Sequence, residues 1–111
     1  MIDKIMKLLE KYENRIMLNT LGNYVDEDNE RYAEIYKYEW KNHRASIAYI
    51  LNRLSNYGET INPIGFAYII INEWAGVMTF REGALDIKEL TKVCEDILID
   101  LDKINSKKSK F

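Results

Sequence analysis

The sequence predicts an all-α domain, a small antiparallel helical bundle of about four helices in which the second helix is the longest. Apolar residues recur at alternating spacings of three and four along most of the chain, which is the period of an amphipathic helix. The chain of 111 residues holds one proline and five glycines, so few breaks in the helices are enforced. Short loops between the apolar segments favour side-by-side packing at shallow angles.

The first two segments each carry one apolar stripe. A helix is expected from about Ile2 to Leu21, with Gly22 as its C-terminal cap. Its stripe consists of Ile2, Ile5, Leu9, Tyr12 and Ile16. A second helix is expected from about Asn29 to Tyr57, with Gly58 just past its end. Its stripe consists of Tyr36, Trp40, His43, Ile47, Ile50, Leu54 and Tyr57. At a rise of about 1.5 Å per residue this helix is about 42 Å long, and its neighbours about 27 Å.

The third segment opens at Asn62-Pro63, a capping residue followed by proline at the first helical position, and a helix is expected to about Phe80. A buried β-hairpin is the alternative, because the run from Tyr68 to Ile71 is β-prone. Two apolar stripes lie on nearly opposite sides of this helix: Ile64, Ala67, Ile71, Trp74 and Met78 on one, Phe66, Ile70 and Val77 on the other. A helix that is apolar on two sides is either central in a core or shared with a partner.

A fourth helix is expected from about Ile87 to Ile104, because Asp86 and Glu89 resemble a capping box and an unbroken apolar stripe follows. That stripe is Ile87, Leu90, Cys94, Ile97, Leu101 and Ile104. Cys94 is the lone cysteine, so an internal disulfide is excluded and a small core residue is expected. Residues 1–105 are predicted to be a single domain, and residues 106–111 a frayed basic tail.

The composition excludes several classes of protein. A net charge of -2 gives no general attraction to nucleic acid. No apolar run reaches the length of a membrane span and no signal-peptide pattern opens the chain, so the expected location is the cytoplasm. Lys, Ile and Asn are abundant, a composition associated with AT-rich bacterial or phage genomes.

No catalytic, metal-binding or phosphate-binding pattern is complete. His43 is the only histidine. Glu39 lies one helical turn before it, so a metal site with Glu73 as a third ligand is one alternative, which would make the chain a small metal-dependent enzyme centred on His43. Di-iron bundles use two Glu-x-x-His pairs, and the second histidine is missing here. His43 is therefore expected to be structural, and no cofactor, metal or enzymatic activity is expected.

Two tyrosines of the second helix lie off its apolar stripe. Tyr38 and Tyr49 fall together on the far side of the helix, flanked by Asn42 and Arg53. Tyrosine and arginine are typical of binding hot spots, whereas single exposed aromatic residues are ordinary on any surface. We therefore expect a non-enzymatic protein–protein interaction module that covers part of a partner protein, such as an inhibitor, immunity or adaptor protein.

Two further expectations concern partners. A basic bias on the second helix makes nucleic-acid binding a second alternative; it comes from Arg31, Lys37, Lys41, Arg44 and Arg53. The second helix is also longer than its neighbours, and the stripe of Phe66, Ile70 and Val77 needs cover. A two-fold homodimer with the third helix at the contact would bury both the overhanging end of the second helix and this stripe.

Overall fold

The computed structural model describes residues 2–21, 30–75 and 85–109, and every regular element in these ranges is an α-helix. The helices are α1 (Ile2–Lys11), α2 (Glu13–Leu21), α3 (Glu30–Asn56), α4 (Pro63–Ala75) and α5 (Ile87–Ser109). No strand occurs in the described ranges, so the all-α prediction is confirmed and the hairpin alternative for the third segment is wrong. None of these helices combines the length and apolar character that crossing a membrane requires.

The first predicted helix is divided in two at Tyr12. The backbone N–H of Tyr12 donates to Leu8 O at 3.0 Å, and the N–H of Ile16 donates to Tyr12 O at 3.0 Å. Hydrogen bonds of the α-helical type therefore continue on both sides of the interruption, and α1 and α2 follow one another as a segment of 20 residues. This division is one reason why the described chain has five helices.

The end of α3 shows why the chain stops being helical where it does. Gly58 has a φ of 77°, a left-handed conformation that costs glycine little. Its N–H donates to Ser55 O at 3.0 Å, and the N–H of Glu59 donates to Leu54 O at 3.0 Å. These two bonds form a Schellman cap that satisfies the last carbonyls of the helix. The predicted position of Gly58 just past the helix end is confirmed.

Both predicted N-terminal caps in the described ranges are present. The Asn62 Oδ1 atom accepts a hydrogen bond from Gly65 N at 2.7 Å, and the Asp86 Oδ1 atom accepts one from Glu89 N at 3.0 Å. Each carboxamide or carboxylate oxygen satisfies one of the N–H groups that the first helical turn leaves unpaired. The predicted cap by Gly22 and the start of α3 before Glu30 lie outside the described residues.

Only one of the two hydrogen bonds of the capping box predicted at α5 forms, the one from Glu89 N–H to Asp86 Oδ1. The Asp86 N–H donates to Asn19 O at 2.8 Å, so it is not available to the Glu89 side chain, and the Glu89 carboxylate pairs with Lys92 Nζ at 3.1 Å instead. The hydrogen bond from Asp86 to Asn19 joins the start of α5 to the end of α2. α5 also continues to Ser109, beyond the end expected at about Ile104.

One core draws on all five helices. Its fully or almost fully buried apolar residues are Ile5, Leu8, Leu9, Ile16, Met17, Trp40, Ile47, Ala48, Leu51, Phe66, Ala67, Ile70, Trp74, Leu90, Val93, Cys94 and Ile97. Cys94 is thus a core residue, as predicted, and burial raises the pKa of its thiol to about 12. A thiol with so high a pKa stays protonated at neutral pH and is a poor nucleophile.

The apolar sides of α4 differ from the prediction. Phe66 and Ile70 are fully buried together with Trp74, whereas Ile64 and Tyr68 are 51% and 49% exposed. α4 packs against both α3 and α5, and two neighbouring helices cover a wide arc of its surface. Phe66 and Ile70 are therefore not available to a second copy, which corrects that part of the predicted dimer contact. Val77 lies outside the described residues.

Candidate functional site

The exposed side of α3 from Lys37 to Asn56, here called the outer face, carries the residues that the sequence singled out for partner binding. Tyr38 is 66% exposed and Tyr49 is 55% exposed, and Asn42 and Arg53 are exposed beside them. Eleven residues make about three helical turns, so the two tyrosines differ by about 20° around the axis and lie about 16 Å apart along it. The structure brings all four residues to one face.

Most of the exposed side chains between the two tyrosines are short. Asn42, Ala45 and Ser46 are exposed there together with Lys41, and the first three are not long enough to cover a neighbouring ring. The opposite side of α3 holds fully buried residues of the core, including Trp40, Ile47 and Leu51. The outer face is therefore a row of two aromatic rings and small polar groups on a helix whose other side is fixed by packing.

The charge of the outer face is mainly positive. Lys37, Lys41 and Arg53 are exposed, and the one carboxylate between Lys37 and Asn56 is that of Glu39, which is 31% exposed and lies 3.9 Å from His43 Nε2. The Arg53 guanidinium lies 5.9 Å from the centre of the Tyr57 ring, within reach of a cation–π attraction. Tyr57 is 72% exposed because it lies just past the end of α3, although the sequence places it on the apolar stripe of the second helix.

Arg44, which the sequence grouped with the basic residues of this helix, points elsewhere. It is only 8% exposed, and its guanidinium lies 3.5 Å from the Glu10 carboxylate and 4.0 Å from the Glu13 carboxylate. Arg44 thus pairs with α1 and α2 inside the molecule and is not available to nucleic acid. The side chain of Arg31 lies outside the described residues.

Other charged groups tie α1 and α2 to α5. Tyr12 Oη donates to Asp100 Oδ2 at 2.7 Å, and Lys11 Nζ donates to the same oxygen at 3.1 Å. Arg15 pairs with Asp96 at 2.8 Å. The hydrogen bond to Asp100 raises the pKa of Tyr12 to about 12, and the bonds from Tyr12 and Lys11 lower the pKa of Asp100. These groups are engaged with one another, which favours a structural role.

The surroundings of His43 are aromatic. Its ring lies 5.9 Å from the Trp74 ring at 84°, and Trp40 lies 5.1 Å from Trp74 at 88°. Such edge-to-face contacts are favourable, although the buried indole N–H groups of both tryptophans have no hydrogen-bond acceptor in the described part of the chain. The Glu39 carboxylate is 3.9 Å from His43 Nε2. This arrangement fits a histidine that helps to pack α3 on α4.

The ligand set considered for a metal ion is not brought together. Glu39, His43 and Glu73 all lie in the described ranges, and no group of three or more His, Cys, Asp or Glu side chains there is placed to hold a metal ion. Only the Glu39–His43 pair forms. A metal-dependent reaction centred on His43 therefore has no geometric support in this part of the molecule.

Comparison with known proteins found no family model, no curated protein and no solved structure that matches this chain. The outer face of α3, where exposed aromatic residues and exposed cations occur together, is therefore the candidate site.

Proposed function

We propose that this chain is a non-enzymatic protein–protein interaction module that covers part of a partner protein with the outer face of α3. The observation that carries the proposal is the exposure of Tyr38 and Tyr49, at 66% and 55%, on the same side of α3 as the exposed Arg53. Tyrosine and arginine supply much of the binding energy at many interfaces. An inhibitor, immunity or adaptor role in the cytoplasm of a bacterium, or for a phage, belongs to the same proposal.

The rigidity of α3 supports this role. Trp40, Ile47 and Leu51 on its inner side are fully buried, and the Schellman cap closes its C-terminal end. A face that is fixed before binding loses little conformational entropy on binding. In the proposed architecture, a bundle of about four helical segments, the long second segment is the one that presents its free side to the partner.

The size of the outer face sets the expected strength of binding. From Lys37 to Asn56 the helix is about 30 Å long and about 10 Å wide, which gives a footprint of about 300 Å². A stable specific interface buries about 800 Å² on each partner. We therefore expect a transient complex of roughly micromolar affinity if α3 alone makes the contact, or a tighter one if the partner also reaches a neighbouring helix.

The test is the double variant Tyr38→Ala with Tyr49→Ala. Exposed substitutions change stability by about 0.5 kcal/mol or less each, so its thermal unfolding should match that of the wild type. Its affinity for a partner isolated from native lysate should fall by about fivefold or more, as expected for a hot spot worth at least about 1 kcal/mol. The control is Leu18→Ala with Ile99→Ala, which shortens two apolar side chains of comparable exposure, 56% and 46%, on α2 and α5.

Two results would contradict this proposal. Equal partner affinity of the Tyr38/Tyr49 variant and the wild type would show that the outer face is not the binding site. A marked loss of thermal stability in that variant would show that the two rings contribute to the fold rather than to binding.

A homodimer is also proposed, with a changed contact. Phe66 and Ile70 are covered by the chain's own helices, whereas Ile64 and Tyr68 leave apolar surface on α4 exposed. Residues at a two-fold contact must be exposed in the single chain, so these two replace the pair expected from the sequence.

A further inference from the structure

We infer that the partner segment covered by the outer face is an acidic amphipathic helix; this rests on the proposed function and names the chemistry of its partner. Between Lys37 and Asn56 the exposed side chains of Lys37, Lys41 and Arg53 carry three positive charges, against one carboxylate, that of Glu39, which is 31% exposed and lies beside His43. The whole chain has a net charge of -2. The outer face is therefore a local reversal of the protein's charge, and charge complementarity at an interface selects partners of the opposite sign.

The exposed surfaces of α1 and α5 do not show this excess of positive charge. Along α1 the exposed residues Asp3, Lys7, Glu10 and Lys11 alternate in sign. Along α5 the exposed charges are also mixed; they include Lys88, Lys92, Glu95, Asp102 and Lys103. Mixed charges neutralise one another at short range, whereas charges of one sign add their potentials. Neither α1 nor α5 therefore shows a stretch of exposed cations beside exposed aromatic rings like that between Lys37 and Arg53 on α3.

The cations of the outer face are not neutralised by the described residues. No ion pair joins Lys37, Lys41 or Arg53 to a carboxylate there, whereas Glu39 is directed to His43. Glu34 is exposed one turn before Lys37, and its carboxylate is not within ion-pair distance of that lysine. Carboxylates of a partner could therefore pair with these cations without breaking an existing pair.

The spacing of these groups fits a helix. Lys37 and Lys41 are one turn apart, about 6 Å along the axis, which is also the spacing of carboxylates at positions i and i+4 of a partner helix. The short side chains around Ala45 leave room between Tyr38 and Tyr49 for an apolar side chain of that helix, as in ridge-into-groove packing. An amphipathic helix docked on an apolar or aromatic groove is a common mode of recognition.

The same spacing disfavours nucleic acid. Successive bases stack on rings that lie close together, whereas Tyr38 and Tyr49 are about 16 Å apart with no ring on the face between them. Phosphate binding depends on the number of cations, and burial of Arg44 leaves three among the described side chains of this face. Lys37 and Arg53 are about 24 Å apart along the axis and about 160° apart around it, so the cations flank the two rings and do not form one row for a polyphosphate chain.

The test uses defined probes. Three synthetic helical peptides of about 21 residues share one leucine stripe and differ in their flanking residues, which are Glu, Gln or Lys; a single-stranded 20-nucleotide DNA is the fourth probe. Fluorescence anisotropy at low ionic strength and at about 0.15 M salt, where the Debye length is about 8 Å, measures each affinity. The Glu peptide should bind about tenfold or more tighter than the Gln peptide, and this advantage should shrink with salt.

Charge-reversal variants test whether the cations of the outer face cause the preference for the Glu peptide. The variant K37E/K41E/R53E should prefer the Lys peptide over the Glu peptide, because the sign of the face is inverted. The matched control K7E/K88E/K103E makes the same change in net charge at exposed sites on α1 and α5 and should keep the preference for the Glu peptide. Circular dichroism of each variant verifies that the helices are intact.

The outcomes separate this inference from the proposed function. Equal binding of the Glu and Gln peptides, no binding of any peptide, or an unchanged preference after K37E/K41E/R53E would overturn the acidic-helix inference. Tighter binding of DNA than of the Glu peptide would overturn it in favour of nucleic acid. The proposed function fails on different evidence, namely when the variant Tyr38→Ala with Tyr49→Ala retains full affinity for a partner isolated from lysate.

Discussion

Replacing Arg44 with methionine is expected to stabilise the fold, although it removes two ion pairs. Arg44 is 8% exposed, and its Nε–H is buried without an acceptor among the described residues. Its guanidinium is 3.5 Å from Glu10 and 4.0 Å from Glu13, which are long contacts for a charge-assisted hydrogen bond. Methionine keeps an unbranched chain of similar length that can fill the same space.

The magnitude follows from two opposing terms. Glu10 is 67% exposed and Glu13 is 28% exposed, and partly exposed ion pairs are worth about 0–1 kcal/mol. A buried donor without an acceptor costs about 1–3 kcal/mol, and methionine removes that cost. The net change expected is therefore about 1 kcal/mol in favour of Arg44→Met. In a domain of this size this corresponds to a rise of about 4 °C in the melting temperature.

The matched comparison is the double variant Glu10→Gln with Glu13→Gln. It breaks the same two ion pairs but leaves the guanidinium buried without a carboxylate, which is strongly unfavourable. Urea unfolding followed by circular dichroism should rank the proteins as Arg44→Met above wild type and wild type above the double glutamine variant. If Arg44→Met unfolds more easily than the wild type by 1 kcal/mol or more, the ion pairs are net stabilising and the reasoning fails.

Four further predictions concern a helix cap, pH and assembly. Asn62→Ala should lower stability by about 1 kcal/mol because it removes the cap of α4, whereas Asn62→Asp should not; equal unfolding curves for both variants would contradict the cap. The pKa of Asp100 is lowered in the fold. The stabilisation that Asp100 contributes is therefore present above the ordinary carboxyl pKa and is lost as the pH falls through the lowered value. In Asp100→Asn the free energy of unfolding should depend less on pH in this acid range. The pKa of Tyr12 is raised from 10.0 to about 12. The stabilisation that Tyr12 contributes is therefore complete below pH 10 and is lost between pH 10 and about 12. In Tyr12→Phe the free energy of unfolding should fall less over this alkaline range. Sedimentation equilibrium should show a homodimer that Ile64→Lys with Tyr68→Lys dissociates, and a wild-type mass of one chain at several hundred micromolar would refute it.

The helices could be predicted from the sequence because their signals are local. Asn62 and Asp86 cap the helices that follow them, and Gly58 ends α3 with a positive φ, as side-chain chemistry alone indicates. The break at Tyr12 could not be predicted, since no glycine or proline marks it. The far end of α5 was placed too early, because the apolar stripe ends at Ile104 while the backbone remains helical to Ser109.

The buried side of a helix could be predicted only where the helix carries a single apolar stripe. On α3 the exposure of Tyr38 and Tyr49 follows from the helical period. On α4 apolar residues lie all round the helix, so the period does not tell which side faces the core, and the choice depends on where α3 and α5 pack. The burial of Arg44 could not be predicted for the same reason. Arg44 lies one turn from the exposed Lys41, and it is buried because carboxylates of α1 and α2 lie next to it.

The two sides of α3 together explain why its outer face stays exposed. On one side Arg44 is held between Glu10 and Glu13, and on the other His43 packs on Trp74 of α4. Both contacts lie within one helical turn of Trp40, so the middle of α3 is fixed from two directions. A helix held in this way cannot turn its outer residues inward without breaking the core. Substitutions on the outer face should therefore change binding without changing the fold, whereas substitutions at the inner contacts should affect binding only through stability.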